Sequence, residues 1–567
     1  MHRYILSDAR SGAKTLSVKT DNNEREIRIH SAYDPVKEAE RSIAEFNPGR
    51  NSVIIVSGIG LAYHIDLLKK KFSALKLIAV ENDPEITAIC RNVNSSVLDN
   101  VHIIHDENDI QLIFDNFSMS GFTGISQYIH RPSYQINPAF YEKIISQVRQ
   151  QISAKVSDLL TRFEFEERWM KNIFMNLKHI ENSIPVNTLF GKFTGYPGVI
   201  VSAGPSLRQN LDAIKKVSDR AVILCVDTSY KVLARAGIIP HIVMTLDAQK
   251  YSLKHFTGLH AGKTLLVADI VACPSVMNNF DGKKIISTTS KYYQDTEGRT
   301  VRETTPAMDW VEKYIPSPGD VQSGGSVATS AFDLLLNMGC DPIILTGQDL
   351  AYTGREYHCS GTYHTDDWQL LAGRFRGLDS INQNLIRRRR IKYVPSFGGQ
   401  GTVISDFVFD LYKFWFEDSA ARVKVKVVNA TGGGSRIVNT IEAGLEETVS
   451  VFNNRVTPDE ILSGIENIPG GINAGNLKKA ILRLHRMTLK ILETDSGSME
   501  FTNKAAEINR ILENNELNLL VSPLVRKTSF YISRHALDVD RTARMLYNDV
   551  VSAAAKLKVF FESTGWV

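Results

Sequence analysis

What this sequence lacks narrows its class before any motif is read. Cysteine is scarce: 567 residues carry only 5, at Cys90, Cys225, Cys273, Cys340 and Cys359. They form no CxxC pair and no disulfide-framework spacing, so a disulfide scaffold is excluded and a reducing compartment is expected. No apolar run reaches the roughly 20 residues that a membrane-spanning helix needs, so no membrane insertion is expected. The opening Met1-His2-Arg3-Tyr4 has no apolar signal-peptide core. Together these features predict a cytoplasmic protein. Charge of one sign is lacking as well: the formal net charge is +4, too small to draw a nucleic-acid partner. One dense basic patch, Arg387-Arg388-Arg389-Arg390, interrupts that balance. It reads as a solvated helix face or as a contact for an anionic substrate.

Several catalytic signatures are missing too. Gly-x-Ser-x-Gly does not occur, which argues against a hydrolase elbow. His358 and His364 stand near Cys359 and Asp366, yet without His-Glu-x-x-His or a paired CxxC no metal is expected there. The stretch Gly258–Thr264 resembles a P-loop, but it is one residue short and precedes a strand instead of following one.

What is there is an α/β pattern. Hydrophobic residues make up 43% and charged residues 23%, as in globular proteins, and the chain is too long for one core. Residues 1–125 read as a small domain. In it the run Ser52–Val56 is followed by Gly58-Ile59-Gly60, and a second strand, Leu77–Val80, ends in Glu81. That order matches the start of a nucleotide-binding βαβ unit, although Tyr63 takes the third glycine position. Residues 126–190 read as a helical connector. Residues 191–450 alternate strand and helix, with strands at Val199–Ala203, Val222–Val226, Ile242–Leu246, Leu265–Ala268, Lys284–Ser287, Ile343–Thr346 and Val425–Val428. Such short Val/Ile runs suit a parallel sheet covered on both faces. Residues 451–567 show only helical periodicity. The expected fold class is α/β: a central Rossmann-like parallel-sheet domain, a smaller N-terminal Rossmann-like domain and a helical C-terminal domain.

In an open parallel sheet, ligands bind at the carboxyl ends of the strands. Those ends deliver Gly204-Pro205-Ser206, Asp227-Thr228, Asp247 and Gly347-Gln348-Asp349. Gly204 lets a ligand approach the main chain, Pro205 stiffens the turn, and Ser206 opens a helix whose first N–H groups favour an anion. A second helix entry is Ser323-Gly324-Gly325-Ser326. Tyr352, Tyr357, His358, Tyr363 and His364 follow the strand Ile343–Thr346.

Ser-Ala-Gly-Pro-Ser-Leu at 202–207, Val-Asp-Thr-Ser at 226–229, and Gly-Ile-Ile-Pro-His-Ile-Val-Met-Thr-Leu-Asp at 237–247 form one series. Gly-Gln-Asp-Leu-Ala-Tyr at 347–352 and Asn-Ala-Thr-Gly-Gly-Gly at 429–434 continue it. The series resembles the bacterial motility accessory factor family, flagellin glycosyltransferases whose central domain is similar to that of bacterial sialyltransferases. Ala203 stands where those enzymes carry Asn, so the main-chain role of Gly204 to Ser206 carries over and the side-chain contact does not.

The resemblance implies transfer of a nonulosonic acid, pseudaminic or legionaminic, from a CMP-activated donor to Ser/Thr hydroxyls of flagellin. It places the donor on Gly204, Pro205, Ser206, Asp227, Thr228, Asp247, Ser323, Gly324, Gly347 and Gln348. His364, then His358, is the expected general base. Tyr352 and Tyr357 would stabilise the leaving phosphate, and Asp349 would orient a histidine or bind the sugar. No cofactor or metal is obligatory, and inversion at the anomeric carbon is implied. The helical C-terminal region is the expected surface for flagellin. Two alternatives remain open. One is an ATP- and Mg²⁺-dependent hydroxymethylpterin pyrophosphokinase, with Asp227, Asp247 and Asp349 on the metal. The other is a non-catalytic chaperone that binds flagellin.

Overall fold

Val/Ile runs between glycine and aspartate turns become buried strands, and their neighbours sort to two faces. In the computed structural model, residues 2–20, 23–115, 122–294, 299–452, 456–466, 472–535 and 538–567 are described. They divide into two units. The first is Met1–Leu160 with Tyr293–Val301 and Phe530–Ala536; the second is Thr161–Tyr292, Arg302–Ser529 and Leu537–Val567.

The first unit opens with an antiparallel sheet of β1 (His2–Asp8), β2 (Lys14–Thr20) and β3 (Asn23–Arg28). A parallel sheet follows, in the order β6-β5-β4-β7, from β4 (Val53–Ser57), β5 (Lys76–Val80), β6 (Val101–Ile104) and β7 (Ile125–Ile129). Ile54, Val56, Leu77 and Ala79 join one hydrophobic cluster, and Val53, Ile55, Ile78 and Val80 the other. That alternation shows both faces covered.

The second unit is built on an eleven-stranded sheet among the described residues. Its strands are β8 (Ile184–Pro185), β9 (Gly198–Val201), β10 (Val222–Val226), β11 (Ile242–Thr245), β12 (Leu265–Asp269), β13 (Lys284–Gln294), β14 (Thr300–Glu303), β15 (Asp320–Gln322), β16 (Ile343–Thr346), β19 (Val427–Asn429) and β20 (Ile441–Glu442). Their path is β14-β13-β12-β11-β10-β9-β16-β19-β20, with β8 and β15 paired to β13. Between β16 and β19 the chain adds the antiparallel hairpin of β17 (Ile391–Pro395) and β18 (Thr402–Asp406). From β9 the chain steps outward through β10, β11 and β12, then returns to β16 on the other side of β9. This reversal is a topological switch point, where the crevice of an open α/β sheet lies. Register puts the strand ends together there: Val201 pairs with Cys225 and with Thr346.

The C-terminal helices Gly475–Ser496, Phe501–Leu512 and Val539–Glu562, with residues 515–529 of helix Asn515–Arg534, belong to this second unit. Leu477, Ile481, Leu484, Leu520 and Phe561 share one cluster with Val199, Val201, Ile223 and Ile214. The opposite sheet face packs Phe332 and Leu335 of helix Val327–Asn337 and Phe416 of helix Phe407–Arg422. The five cysteines are buried and unpaired. Among the described residues no helix is long and apolar enough to cross a membrane.

Candidate active site

At the switch point the bend after β9 and the bend after β16 are locked to each other. Gly204 N–H donates to the Gly347 carbonyl at 2.8 Å. Neither glycine has room for a side chain: a Cβ on Gly204 would lie 2.0 Å from Asp349 Oδ1, and one on Gly347, at φ +62°, 2.3 Å from the Ser202 carbonyl. Asp349 fills the bend. Ser206 Oγ donates to its Oδ1 at 2.6 Å and Ser206 N–H to the same carboxylate at 3.3 Å, while Thr353 Oγ1 donates to Oδ2 at 2.5 Å. Ser202 Oγ donates to Gln348 Oε1 at 2.5 Å. The Gly432–Gly434 loop seals the back, with Ser435 N–H on the Asp349 carbonyl at 2.7 Å. Asp349 is therefore 2% exposed, and burial raises its carboxyl above the usual range. The structure thus gathers Gly204, Pro205, Ser206, Gly347, Gln348 and Asp349 into one wall. The donors that the sequence offered to a phosphate are turned to the chain's own carboxylate.

The next two strands carry the acids. Asp227 opens helix Asp227–Arg235 from the end of β10. Its Oδ1 accepts the Thr228 N–H at 2.6 Å and the Thr228 hydroxyl at 3.0 Å, and its Oδ2 accepts the Thr245 hydroxyl at 2.8 Å. A negative charge at that helix terminus is favoured by the dipole. Asp247, two residues past β11, accepts the Gln249 N–H at 2.9 Å. Burial, with the charge of Asp227 adding to it, raises its carboxyl.

Three imidazoles cluster with these acids. His364 stacks on His358 with centroids 5.0 Å apart, lies 3.9 Å from the Tyr363 ring and 5.8 Å from Trp368. His255, at the end of the 3-10 helix Lys250–His255, meets Tyr363 edge-on at 4.5 Å and lies 6.1 Å from His364. Cys359 N–H donates to the Ala203 carbonyl at 3.0 Å, which holds His358 beside the proline bend. Burial lowers His358 to about 3 and His364 to about 4, so both rings are neutral bases at neutral pH. The charge of Asp227 favours the protonated forms of His255 and His364. His358 and His364 stand out in the sequence, whereas His255 and Trp368 arrive as single residues outside any motif.

The two tyrosines separate. Tyr352 is 2% exposed and donates its hydroxyl to Asp406 Oδ2 at 2.6 Å. Its ring lies behind Tyr357, at 5.8 Å. Tyr357 is half-buried, edge-on to His358 at 4.7 Å, and its hydroxyl accepts from Arg389 Nη2 at 3.1 Å. Arg389 belongs to the basic run, so one of those arginines reaches the site. Ser323 and Gly324 join a different wall. Gly324 N–H donates to Thr329 Oγ1 at 2.9 Å, and a Cβ there would lie 2.3 Å from the Trp415 ring. Helix Val327–Asn337 caps itself with the Ser326–Thr329 box. Among the described residues no three His, Cys, Asp or Glu side chains form a group that could hold a metal ion, and Asp227, Asp247 and Asp349 do not come together as one.

The glycine loop of the first unit is closed by its own side chains. Ile59 N–H donates to Glu81 Oε2 at 2.7 Å, and Leu61 N–H to His30 Nε2 at 2.7 Å. A Cβ on Gly58 would lie 2.3 Å from Ser133 Cβ, and one on Gly60 2.5 Å from His30 Nε2. Glu81, the acid that a ribose would meet, is 1% exposed and also accepts the Tyr141 hydroxyl at 3.1 Å. The nucleotide-binding pattern read at 52–81 is a fold signal here, with its amides already engaged.

Residues 171–355 match the family described as 6-hydroxymethylpterin diphosphokinase MptE-like. An uncharacterized protein of Treponema pallidum (strain Nichols) is 22% identical over 238 residues, which are 39% of this chain and 60% of that protein. Another from the same organism is 27% identical over 115 residues, 20% of this chain and 54% of that protein. The chain thus spans little more than half the length of these relatives. The structure of a MAf glycosyltransferase from Magnetospirillum magneticum AMB-1 matches 99% of this chain and 92% of its own, with a TM-score of 0.53 at 15% identity. The resemblance carried by the motifs is therefore matched by the architecture: this chain has the fold of a MAf glycosyltransferase along nearly its whole length, with an MptE-like region at its centre.

Proposed function

We propose that this protein is a flagellin glycosyltransferase, moving pseudaminic or legionaminic acid from a CMP-activated donor to Ser/Thr hydroxyls. The observation that carries the proposal is the cluster of neutral imidazoles beside Asp227 and Asp247, at the strand ends of a sheet with the MAf glycosyltransferase fold. His364 takes the hydroxyl proton as the oxygen attacks the anomeric carbon. CMP leaves with the electrons of the broken bond. Burial makes His364 a weak base on its own. An anionic donor seated beside it opposes that burial and raises its proton affinity, so the base strengthens when the donor is in place. In this reading Tyr357, whose hydroxyl accepts from Arg389, meets the leaving phosphate. Tyr352 is committed to Asp406 and supports Tyr357 from behind. Asp227 and Asp247 would repel a phosphate, so they accept from donor hydroxyls. Single displacement inverts the anomeric carbon.

The test is to incubate the protein with flagellin and each CMP-nonulosonic acid and to weigh the flagellin. Added mass of one sugar residue per site is expected; no added mass with either donor overturns the proposal. NMR of the product showing retained configuration would overturn the single displacement. The second reading, a hydroxymethylpterin pyrophosphokinase, is favoured by the MptE-like match alone. It requires Mg²⁺-dependent release of AMP from ATP in the presence of the pterin, and Asp349, whose carboxylate is taken up by Ser206 and Thr353, does not join Asp227 and Asp247 as a third metal ligand.

A further inference from the structure

Helix Tyr363–Leu371 carries an apolar lip away from the candidate site. His364, Trp368 and Leu371 are spaced by four and three residues, so they share one face of that helix. His364 and Trp368 are half-buried, with ring centres 5.8 Å apart. Leu371 is 54% exposed, and its neighbour Leu370 86%. Beyond the helix the chain closes a tight turn. Gly373 N–H donates to the Arg376 carbonyl and Arg376 N–H to the Gly373 carbonyl, both at 3.0 Å. The turn holds Phe375 at its tip, 95% exposed, more than any other large apolar side chain among the described residues. Arg374 and Arg376 flank it. The Arg374 guanidinium lies 5.8 Å from the Phe375 ring centre, and among the described residues neither arginine is paired with a carboxylate. Burying a phenylalanine is worth about 1.5–3 kcal/mol, yet two main-chain bonds hold this one in water. One exposed apolar residue is ordinary. Three together, continuous with the candidate site and flanked by unpaired cations, mark a contact surface.

We propose that Leu370, Leu371 and Phe375, with Arg374 and Arg376, receive the flagellin segment on one side of the modified Ser/Thr. That segment carries an apolar side chain about three residues from the hydroxyl, with a carboxylate beside it. The inference rests on the reading of flagellin as acceptor and His364 as base. A hydroxyl that gives its proton to His364 lies within about 3 Å of that ring, so the chain on one side of it runs out along the helix. From His364 to Leu371 the helix rises about 10 Å, at 1.5 Å per residue. An extended chain covers that distance in about three residues, at 3.3 Å each. The apolar side chain that arrives there meets Leu371 and Phe375. The carboxylate follows from the two free guanidinium groups, whose planar fork of N–H donors matches it.

The experiment measures binding of labelled monomeric flagellin to the full chain. It compares the unmodified protein with two double variants, Leu371→Ser with Phe375→Ser and Arg374→Glu with Arg376→Glu. Each double variant should keep its melting temperature and its affinity for CMP, and should bind flagellin on the order of tenfold more weakly. The charge variant should also lose most of the salt dependence of binding. With the unmodified protein, a short serine peptide bearing Phe and Glu three residues from the serine should displace flagellin better than its Ala and Lys counterpart. That comparison decides if a variant fails to fold, and equal displacement overturns the proposal. Folded variants that bind flagellin as tightly as the unmodified protein overturn it too. So does loss of self-association in sedimentation velocity, or of binding to phosphatidylglycerol vesicles, while flagellin binding holds. None of these measurements needs turnover. Flagellin binding that both variants weaken, in a protein that transfers no sugar, upholds the surface and overturns the transferase reading alone.

Discussion

Gly204 is the residue where sequence and structure are most tightly tied. Alanine there would press its Cβ against Asp349 Oδ1 and the Gly347 carbonyl. We expect Gly204→Ala to lose about 3 kcal/mol of stability, read by urea denaturation. A loss under about 1 kcal/mol would mean that the carboxylate is not seated in the bend. The residues proposed to act in the transfer separate by a different measurement. His364→Gln should lower kcat by roughly 10²–10⁴ while leaving the affinity for CMP within a few-fold. Tyr357→Phe should lower kcat more than Tyr352→Phe, because the Tyr352 hydroxyl already belongs to Asp406. Equal effects of the two phenylalanines would reject that division of labour. These residues were readable as a set because they follow strand ends. Their assignments were not, since nothing in the string Gly-Gln-Asp-Leu-Ala-Tyr says that its aspartate folds back onto Ser206.

Among the elements, the strands of the central sheet stand out in the sequence for a physical reason. β9, β10, β11, β12 and β16 are buried on both faces, so they read as unbroken Val/Ile runs. The hairpin of β17 and β18 left no such mark. Ile391 is 46% exposed and Tyr393 69%, so burial imposes no alternation on it. Yet this hairpin supplies Asp406, which accepts Tyr352 at 2.6 Å and caps helix Phe407–Arg422 through the Phe409 N–H at 2.8 Å. Asp406→Ala removes both bonds and should cost about 2–4 kcal/mol. A melting temperature unchanged from the unmodified protein would contradict it. The 3-10 helix that ends at His255 was equally silent, since six residues are too few to set a period.

At the scale of the whole molecule, the α/β class and the helical C-terminus were legible from periodicity, but the sharing of cores was not. Deleting the chain from Thr457 would strip Leu477, Ile481, Leu484 and Phe561 from the cluster that covers Val199 and Ile223. Buried residues of this size are each worth about 2–5 kcal/mol, so the truncated chain should fail to unfold cooperatively in urea. A cooperative transition that retains CMP binding would show the helices to be a separable module for flagellin. Acid should weaken the protein as well. Burial lowers His30 to about 3 and His64 and His241 to about 4. An unfolded histidine titrates near 6.5, so between that value and about 4 the unfolded chain binds more protons than the folded one. Stability is then lost as pH falls through this window, by up to about 1.4 kcal/mol per pH unit for each such ring. A melting temperature equal at pH 7.5 and pH 5 would refute it.

The carboxylate lodged in the proline turn has a practical corollary for chemists. A tethered group holds its seat at an effective molarity that no dissolved compound approaches, so an inhibitor drawn as a phosphate surrogate for that turn would be outcompeted before it landed.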